Sequence, residues 1–161
     1  MTMSALRSVL PALILPPLIL LACTPDRPAP QTQRQSQAIS AEESTAAMCF
    51  GVSWARYNVA QAGAQSTRAD LSRPSAAAMP LAKVQLDRNM DWLARRGLIT
   101  AQVQPGPRGD AAFQAVGREI EKGRAAMLAC AGASEAGGRA PSEGETTAGC
   151  AAAEPCRNWL R

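Results

Sequence analysis

The stretch SAEESTAAMCFGVSWARYNVAQAG, residues 40–63, decides the fold of this 161-residue chain. It opens with a capping box, in which the Ser40 hydroxyl accepts a hydrogen bond from the backbone N–H of Glu43 and the Glu43 carboxylate accepts one from the backbone N–H of Ser40. Gly63 can adopt the left-handed conformation that ends a helix. The pattern therefore predicts a helix from about residue 41 to residue 62.

Two apolar stripes run along this first helix, on roughly opposite faces. An aliphatic stripe consists of Met48, Val52, Ala55, Val59 and Ala62, and an aromatic stripe consists of Phe50, Trp54 and Tyr57. Two stripes are expected of a helix that lies between two others. The alternative is that the aromatic stripe stays open for a partner or a ligand. A closed pocket lined by the three aromatic residues would favour a ligand, and a flat exposed stripe would favour a protein.

A second helix is predicted to start at Pro80, because proline is favoured in the first turn of a helix, with a short helical piece allowed before it. Gly97 is expected to end it, with Leu98 folded back over its last turn. Residues 98–109 alternate weakly between apolar and polar residues before Pro105 and Pro107. An isolated strand is not stable alone, so this connector is expected to be an extended loop.

The third helix is predicted from about residue 111 to residue 131, with Asp110 as its N-cap and Gly132 ending it. Gly117 and Gly123 lower its intrinsic stability, by up to about 1 kcal/mol each relative to alanine. Either close approach of a neighbouring helix or simple drift accounts for them. The chain is therefore predicted to be all-α, with residues 41–131 forming a small three-helix bundle.

Four cysteines follow residue 23, at positions Cys49, Cys130, Cys150 and Cys156. An even number of cysteines in a small chain predicts two disulfides if the chain is exported, which the apolar run described below indicates. If the first and third helices were parallel and level, Cys49 and Cys130 would differ in height by about 15 Å. A disulfide needs Cα atoms within about 7 Å of each other. We therefore predict antiparallel first and third helices joined by Cys49–Cys130, and a terminal ring closed by Cys150–Cys156.

The tail, residues 132–161, loses all periodicity and is predicted to be mostly disordered, apart from the Cys150–Cys156 ring. Trp159 lies near its end and either folds back on the bundle or stays free to dock. The rival pairings of the cysteines would tie the tail to the bundle. They would order the tail and make Trp159 part of the core.

An apolar run, SVLPALILPPLILLAC, occupies residues 8–23 after a short basic start. It is too short for a helix that crosses a bilayer of roughly 30 Å, and its length is typical of a signal-peptide core. The end of this run, Leu20-Leu21-Ala22-Cys23, resembles the lipobox of bacterial lipoprotein precursors. The resemblance covers residues 1–23 only. It implies that residues 1–22 are removed and that Cys23 carries acyl chains.

Residues 23–40 then form the lipidated cysteine and a disordered tether, rich in proline and glutamine and without an apolar face. In lipoproteins of this type, an aspartate after the cysteine would favour the inner membrane. Here the residue is Thr24. The resemblance therefore implies attachment to the outer membrane, facing the periplasm, rather than to the inner membrane.

Composition argues against several functions. The net charge of +4 is mild, and no basic face with interleaved aromatic residues indicates nucleic-acid binding. The chain has no histidine, which removes the common nucleophile pairs and most metal sites. We expect no cofactor, no metal and no enzymatic activity.

The expected function is that of a membrane-anchored envelope lipoprotein. It would be a structural or protein-interaction module that binds another envelope protein or a cell-wall component, and the aromatic stripe or Trp159 would make the contact. The alternative is a small periplasmic ligand-binding or inhibitory module.

Overall fold

The computed structural model describes residues 38–133 and 138–159, which form α1 (Ala41–Ala64), α2 (Ala69–Arg95), α3 (Asp110–Cys130) and α4 (Glu143–Ala153). A 3-10 turn, Glu154–Arg157, follows α4. Within these residues the only extended pairing is an isolated bridge between Ile99 and Pro105. The all-α, disulfide-stapled class is confirmed. The predicted leader, the lipidation site Cys23 and nearly all of the tether lie outside the described residues.

Helix α1 is the central element of the bundle. Its capping box is present as predicted: the Ser40 N–H donates to Glu43 Oε2 at 2.7 Å, and the Glu43 N–H donates to Ser40 Oγ at 3.2 Å. Further along, α1 packs extensively against both α2 and α3. Cys49, Phe50 and Val52 are all buried. The interpretation of α1 as a helix that lies between two others is confirmed.

Helix α2 runs antiparallel to α1, and α3 runs parallel to it. Near the start of α1, Glu42 pairs with Arg96 at the end of α2, and Glu43 pairs with Arg108 just before α3. In the middle of α1, the backbone of Met48 lies against Gly123 of α3. The prediction that the first and third helices are antiparallel is therefore wrong.

Helix α2 starts at Ala69 and continues through Pro74 and Pro80, so the predicted start at Pro80 is wrong. A proline inside a helix removes one backbone hydrogen bond and costs about 3 kcal/mol. Packing against the end of α1 stabilises this segment, because Ser75 of α2 lies directly against Gly63 of α1. Gly63 accordingly lies inside α1 and allows close approach, rather than ending the helix as predicted.

The C-terminal ends of α2 and α3 are closed in the same way. Gly97 has φ +69°, and the N–H of Leu98 donates to the carbonyl of Leu93 at 3.2 Å. Leu98 is fully buried over the last turn, as predicted. Gly132, with φ +65°, closes α3, also as predicted. At the other end of α3, Asp110 is the first helical residue and Gly109 is the N-cap, one residue earlier than predicted.

The prediction that the tail is mostly disordered is wrong, because it contains α4. This helix starts with its own capping box, in which Ser142 and Glu145 exchange hydrogen bonds. Helix α4 packs on the C-terminal half of α3. At the contact, a Cβ on Gly149 would lie 2.8 Å from the Cβ of Ala129.

Both predicted disulfide pairings are wrong. The structure pairs Cys49 with Cys156, at a Cα–Cα distance of 5.0 Å, and Cys130 with Cys150, at 4.5 Å. The reason is the parallel direction of α1 and α3. Cys49 lies level with Gly123, and Cys130 lies seven residues further along α3, about 10 Å away along the axis. The tail instead returns to α1, as the rival pairings required.

Candidate interaction surfaces

The aromatic stripe of α1 does not form a single surface. Phe50 is only 4% exposed and belongs to the main core cluster. Trp54 is 40% exposed, and its ring centroid lies 6.4 Å from that of Phe50. Tyr57 is half-buried. The three residues therefore line neither a closed pocket nor a flat exposed patch, and only Trp54 offers an open aromatic side chain.

Trp159 folds back onto the bundle, which was one of its two predicted outcomes. Its ring meets that of Trp92 edge-on, with centroids 6.0 Å apart. On Trp92, the guanidinium of Arg96 stacks at 4.0 Å from the ring centroid, an arrangement in which a cation is attracted by the ring face. Trp159 is half-buried, and its indole nitrogen is buried without a partner among the described residues. Trp159 thus covers the base of the bundle, which is the end where α1 begins and α2 ends.

A buried carboxylate also stabilises this base. The side chain of Glu43 is 8% exposed and pairs with Arg108, which also donates to the carbonyl of Ala38 at 2.8 Å. Burial raises the pKa of Glu43, but the backbone N–H of Ser40 and the Arg108 guanidinium outweigh it and hold the pKa below its ordinary value. The network joins the chain that enters α1 to the loop before α3.

The outer face of α2 presents the most regular exposed surface. Six exposed residues follow each other at alternating spacings of four and three, which places them on one side of the helix. Two of them are large and strongly exposed: Leu81 at 66% and Val84 at 45%. We call this set the outer α2 seam; it consists of Asp70, Pro74, Ala77, Leu81, Val84 and Arg88.

Helix α2 packs on α1 through a second seam, which lies on a different face of the helix. The outer α2 seam is therefore left exposed. The second seam follows the same spacing and contains the buried residues Ala82, Asn89 and Leu93. Sequence reasoning missed the outer α2 seam because it started the helix at Pro80, which divides the repeat in two. The alternating spacing of four and three is visible in the amino-acid sequence from Asp70 onward.

The α1–α2 hairpin extends beyond the end of α3. Cys130, the last residue of α3, lines the same small pocket as Arg56. Helix α1 continues for two further turns, to Ala64. The part of α2 that runs alongside these turns includes Leu71 and Leu81, both exposed. The hairpin therefore projects past α3 at the end of the bundle opposite the base.

An open groove between α3 and α4 is lined mainly by alanines. Arg139 and Glu145 form a salt bridge of 2.6 Å at its edge. The hydrogen bond from Arg139, together with those from Ser142, lowers the pKa of Glu145 to about 2. None of the three aromatic residues of α1 lines this groove.

Two further properties concern the described residues only. They contain no group of three or more acidic residues, cysteines or histidines placed to hold a metal ion. None of their helices combines the length and the apolar character needed to cross a bilayer.

Comparison of the chain with protein-family models, with curated proteins and with solved structures found no match.

Proposed function

We propose that this protein is a lipid-anchored envelope lipoprotein that acts as a protein-interaction module on the periplasmic face of the outer membrane. The cysteine pairing is the observation that supports this best. Disulfides form and persist in oxidising compartments such as the periplasm. The two disulfides take up four of the five cysteines and leave Cys23, the residue that ends the lipobox-like stretch.

The anchor would be permanent. In lipoproteins of this type the cysteine carries three acyl chains, and each buried methylene contributes about 0.8 kcal/mol to membrane binding. The tether would then enter the bundle at its base, where α1 begins at Ala41. Helix α1 has 24 residues, about 36 Å of helix. The projecting end of the α1–α2 hairpin would lie at the end of the bundle opposite its point of attachment.

The interaction role is supported by the outer α2 seam. Its apolar centre exposes Leu81 and Val84 on the face of α2 that is turned away from α1. Covering such side chains contributes about 25 cal/mol for each Å² of apolar surface removed from water, and the entropy lost on association offsets part of this gain. The spacing of the seam suits a second helix, which would pack along it as in a coiled coil.

Metabolic labelling tests the anchor. Cells that produce the full chain are grown with a clickable fatty acid, and the protein is isolated and probed for label. We expect label on the wild-type protein and none on a Cys23→Ala variant. Label on the variant would refute lipidation at Cys23.

Membrane fractionation tests the location. On a density gradient, the wild-type protein should sediment with the outer membrane, and a Thr24→Asp variant should shift toward the inner membrane. A wild-type protein found mainly in the inner membrane would contradict the proposed location but not the anchor.

A further inference from the structure

We infer that the outer α2 seam binds a second copy of this chain, with the two α2 helices antiparallel. The inference rests on the proposed interaction role of this seam and names its partner. A twofold axis at the level of Met79 places each seam residue opposite the residue equally far on the other side of that level. Such an interface uses the same patch on both copies, which is the commonest arrangement in protein dimers.

The charges at the two ends of the seam fit this arrangement. Asp70 lies nine residues before Met79 and Arg88 nine residues after it. In the antiparallel pair, Asp70 of each copy therefore faces Arg88 of the other. A parallel pair would instead place Asp70 against Asp70 and Arg88 against Arg88, which is repulsive. The charge pattern selects the antiparallel direction.

The sizes of the central residues are complementary in the same register. Ala77 faces Leu81 of the second copy, and Pro74 faces Val84 of the second copy. Each pair sets a smaller or flatter side chain against a larger one, so the two helices can approach closely. Leu81 is 66% exposed and Val84 is 45% exposed in the single chain.

The charged residues are available for this contact. Arg88 is exposed and forms no ion pair within residues 38–133 and 138–159. Asp70 pairs with Arg68, but both side chains are largely exposed. Exposed ion pairs contribute little, so exchanging this partner costs little.

The charge of the outer α2 seam fits a second copy of this chain better than an anionic lipid surface. It carries one acidic and one basic residue and has no net charge, whereas binding to anionic lipid needs an excess of basic residues. The contact runs from Asp70 to Arg88, nineteen residues that span about 27 Å of helix. Two single helices bury less than the roughly 800 Å² per partner of a standard interface. Contacts below this size are usually weak and transient, so we expect a dissociation constant on the order of micromolar or weaker.

Reversing the charges at Asp70 and Arg88, which face each other in the proposed dimer, tests the inference. The full mature protein is studied in detergent by sedimentation velocity over a range of concentrations. Asp70→Arg and Arg88→Asp each replace two ion pairs with two like-charge contacts. Each such change is small, but all four act in the same direction, so either substitution alone should weaken association about tenfold. The double variant should restore it, and an equimolar mixture of the two single variants should associate as well as the wild type.

Near-ultraviolet circular dichroism of each variant confirms that the bundle is folded. A wild-type protein that stays monomeric at every concentration would overturn the inference. Single variants that associate as tightly as the wild type would overturn it too, because the dimer would then use another face.

In-cell crosslinking separates failure of the inference from failure of the proposed function. A photo-crosslinking amino acid replaces Leu81, and the matched control replaces Arg118, which is exposed on α3. A product of twice the chain mass from position 81 alone supports the second copy. A product that contains a different protein overturns the inference but keeps the interaction role, and no product at position 81 contradicts both.

Discussion

Replacing Gly123 with alanine should separate the two central helices of the bundle. Gly123 is buried in α3 at the point where α3 crosses α1. A Cβ at this position would lie 2.8 Å from the carbonyl carbon of Met48 and 3.1 Å from the amide nitrogen of Val52. Both atoms belong to the backbone of α1 and cannot rotate away. The helices must therefore move apart to accept a single methyl group.

The expected magnitude follows from two opposing effects. Overpacking a core typically costs about 1–3 kcal/mol, and contact with rigid backbone places this site near the upper end. Alanine in place of glycine inside a helix contributes about 1 kcal/mol in the opposite direction. The free energy of unfolding of Gly123→Ala should therefore fall by about 2 kcal/mol.

Gly117 provides the matched control on the same helix. A Cβ on Gly117 would have no neighbour within 4 Å. Gly117→Ala should therefore raise the free energy of unfolding by up to about 1 kcal/mol. Urea unfolding of the oxidised proteins, followed by circular dichroism, measures both changes. Equal stabilities for the two variants would refute the close contact between α1 and α3.

Three further outcomes follow from the structure. Because the folded-state pKa of Glu145 is about 2 against an ordinary 4.5, its stabilisation of the start of α4 should be present above pH 4.5 and be lost as the pH falls through about 2; a titration of this carboxyl by NMR with a midpoint at its ordinary value would contradict this. Removing the Cys130–Cys150 disulfide should lower the free energy of unfolding by about 3 kcal/mol, as expected for a loop of its length, and should increase hydrogen exchange in α4 more than in α1. Asn89→Ala should cost about 1–3 kcal/mol, because the buried Asn89 amide donates to the hydroxyl of Ser53 at 2.8 Å; a loss below about 0.5 kcal/mol in urea unfolding would contradict this.

The helices with strong local signals could be predicted from the sequence. Ser40 with Glu43 marked the start of α1, and Gly97 and Gly132 marked the ends of α2 and α3, because each signal depends on hydrogen bonds within a few residues. Pro80 misled the prediction of α2. Its local preference for a first turn was outweighed by packing against α1, which sequence alone does not display.

The predictions of the cysteine pairing and of a disordered tail were wrong for one shared reason. The predicted pairing assumed that Cys130 had to meet Cys49, and this forced α3 to be antiparallel to α1. Because the tail was predicted to be mostly disordered, the pairings that tie Cys49 to the tail remained the alternatives. The capping box of Ser142 and Glu145 was the local signal that could have prevented both errors.

The candidate site was only partly accessible to sequence reasoning. Phe50, Trp54 and Tyr57 share one face of α1, but spacing does not tell which members of a face are covered by neighbouring elements. Burial of Phe50 depends on the core cluster formed with Leu93 of α2 and Ile120 of α3. Such contacts between distant segments are set by the fold as a whole.

The Cys49–Cys156 bond has a mechanical consequence. It joins residues 107 positions apart in the chain, close to the two ends of the described bundle. A pull applied between residues 38 and 159 therefore passes along the first two turns of α1, through the sulfur atoms and out at residue 156. Helices α2, α3 and α4 lie outside this path of force. Tension between these two residues would stretch only residues 38–49 and 156–159, and the bundle would keep its shape until the disulfide is reduced.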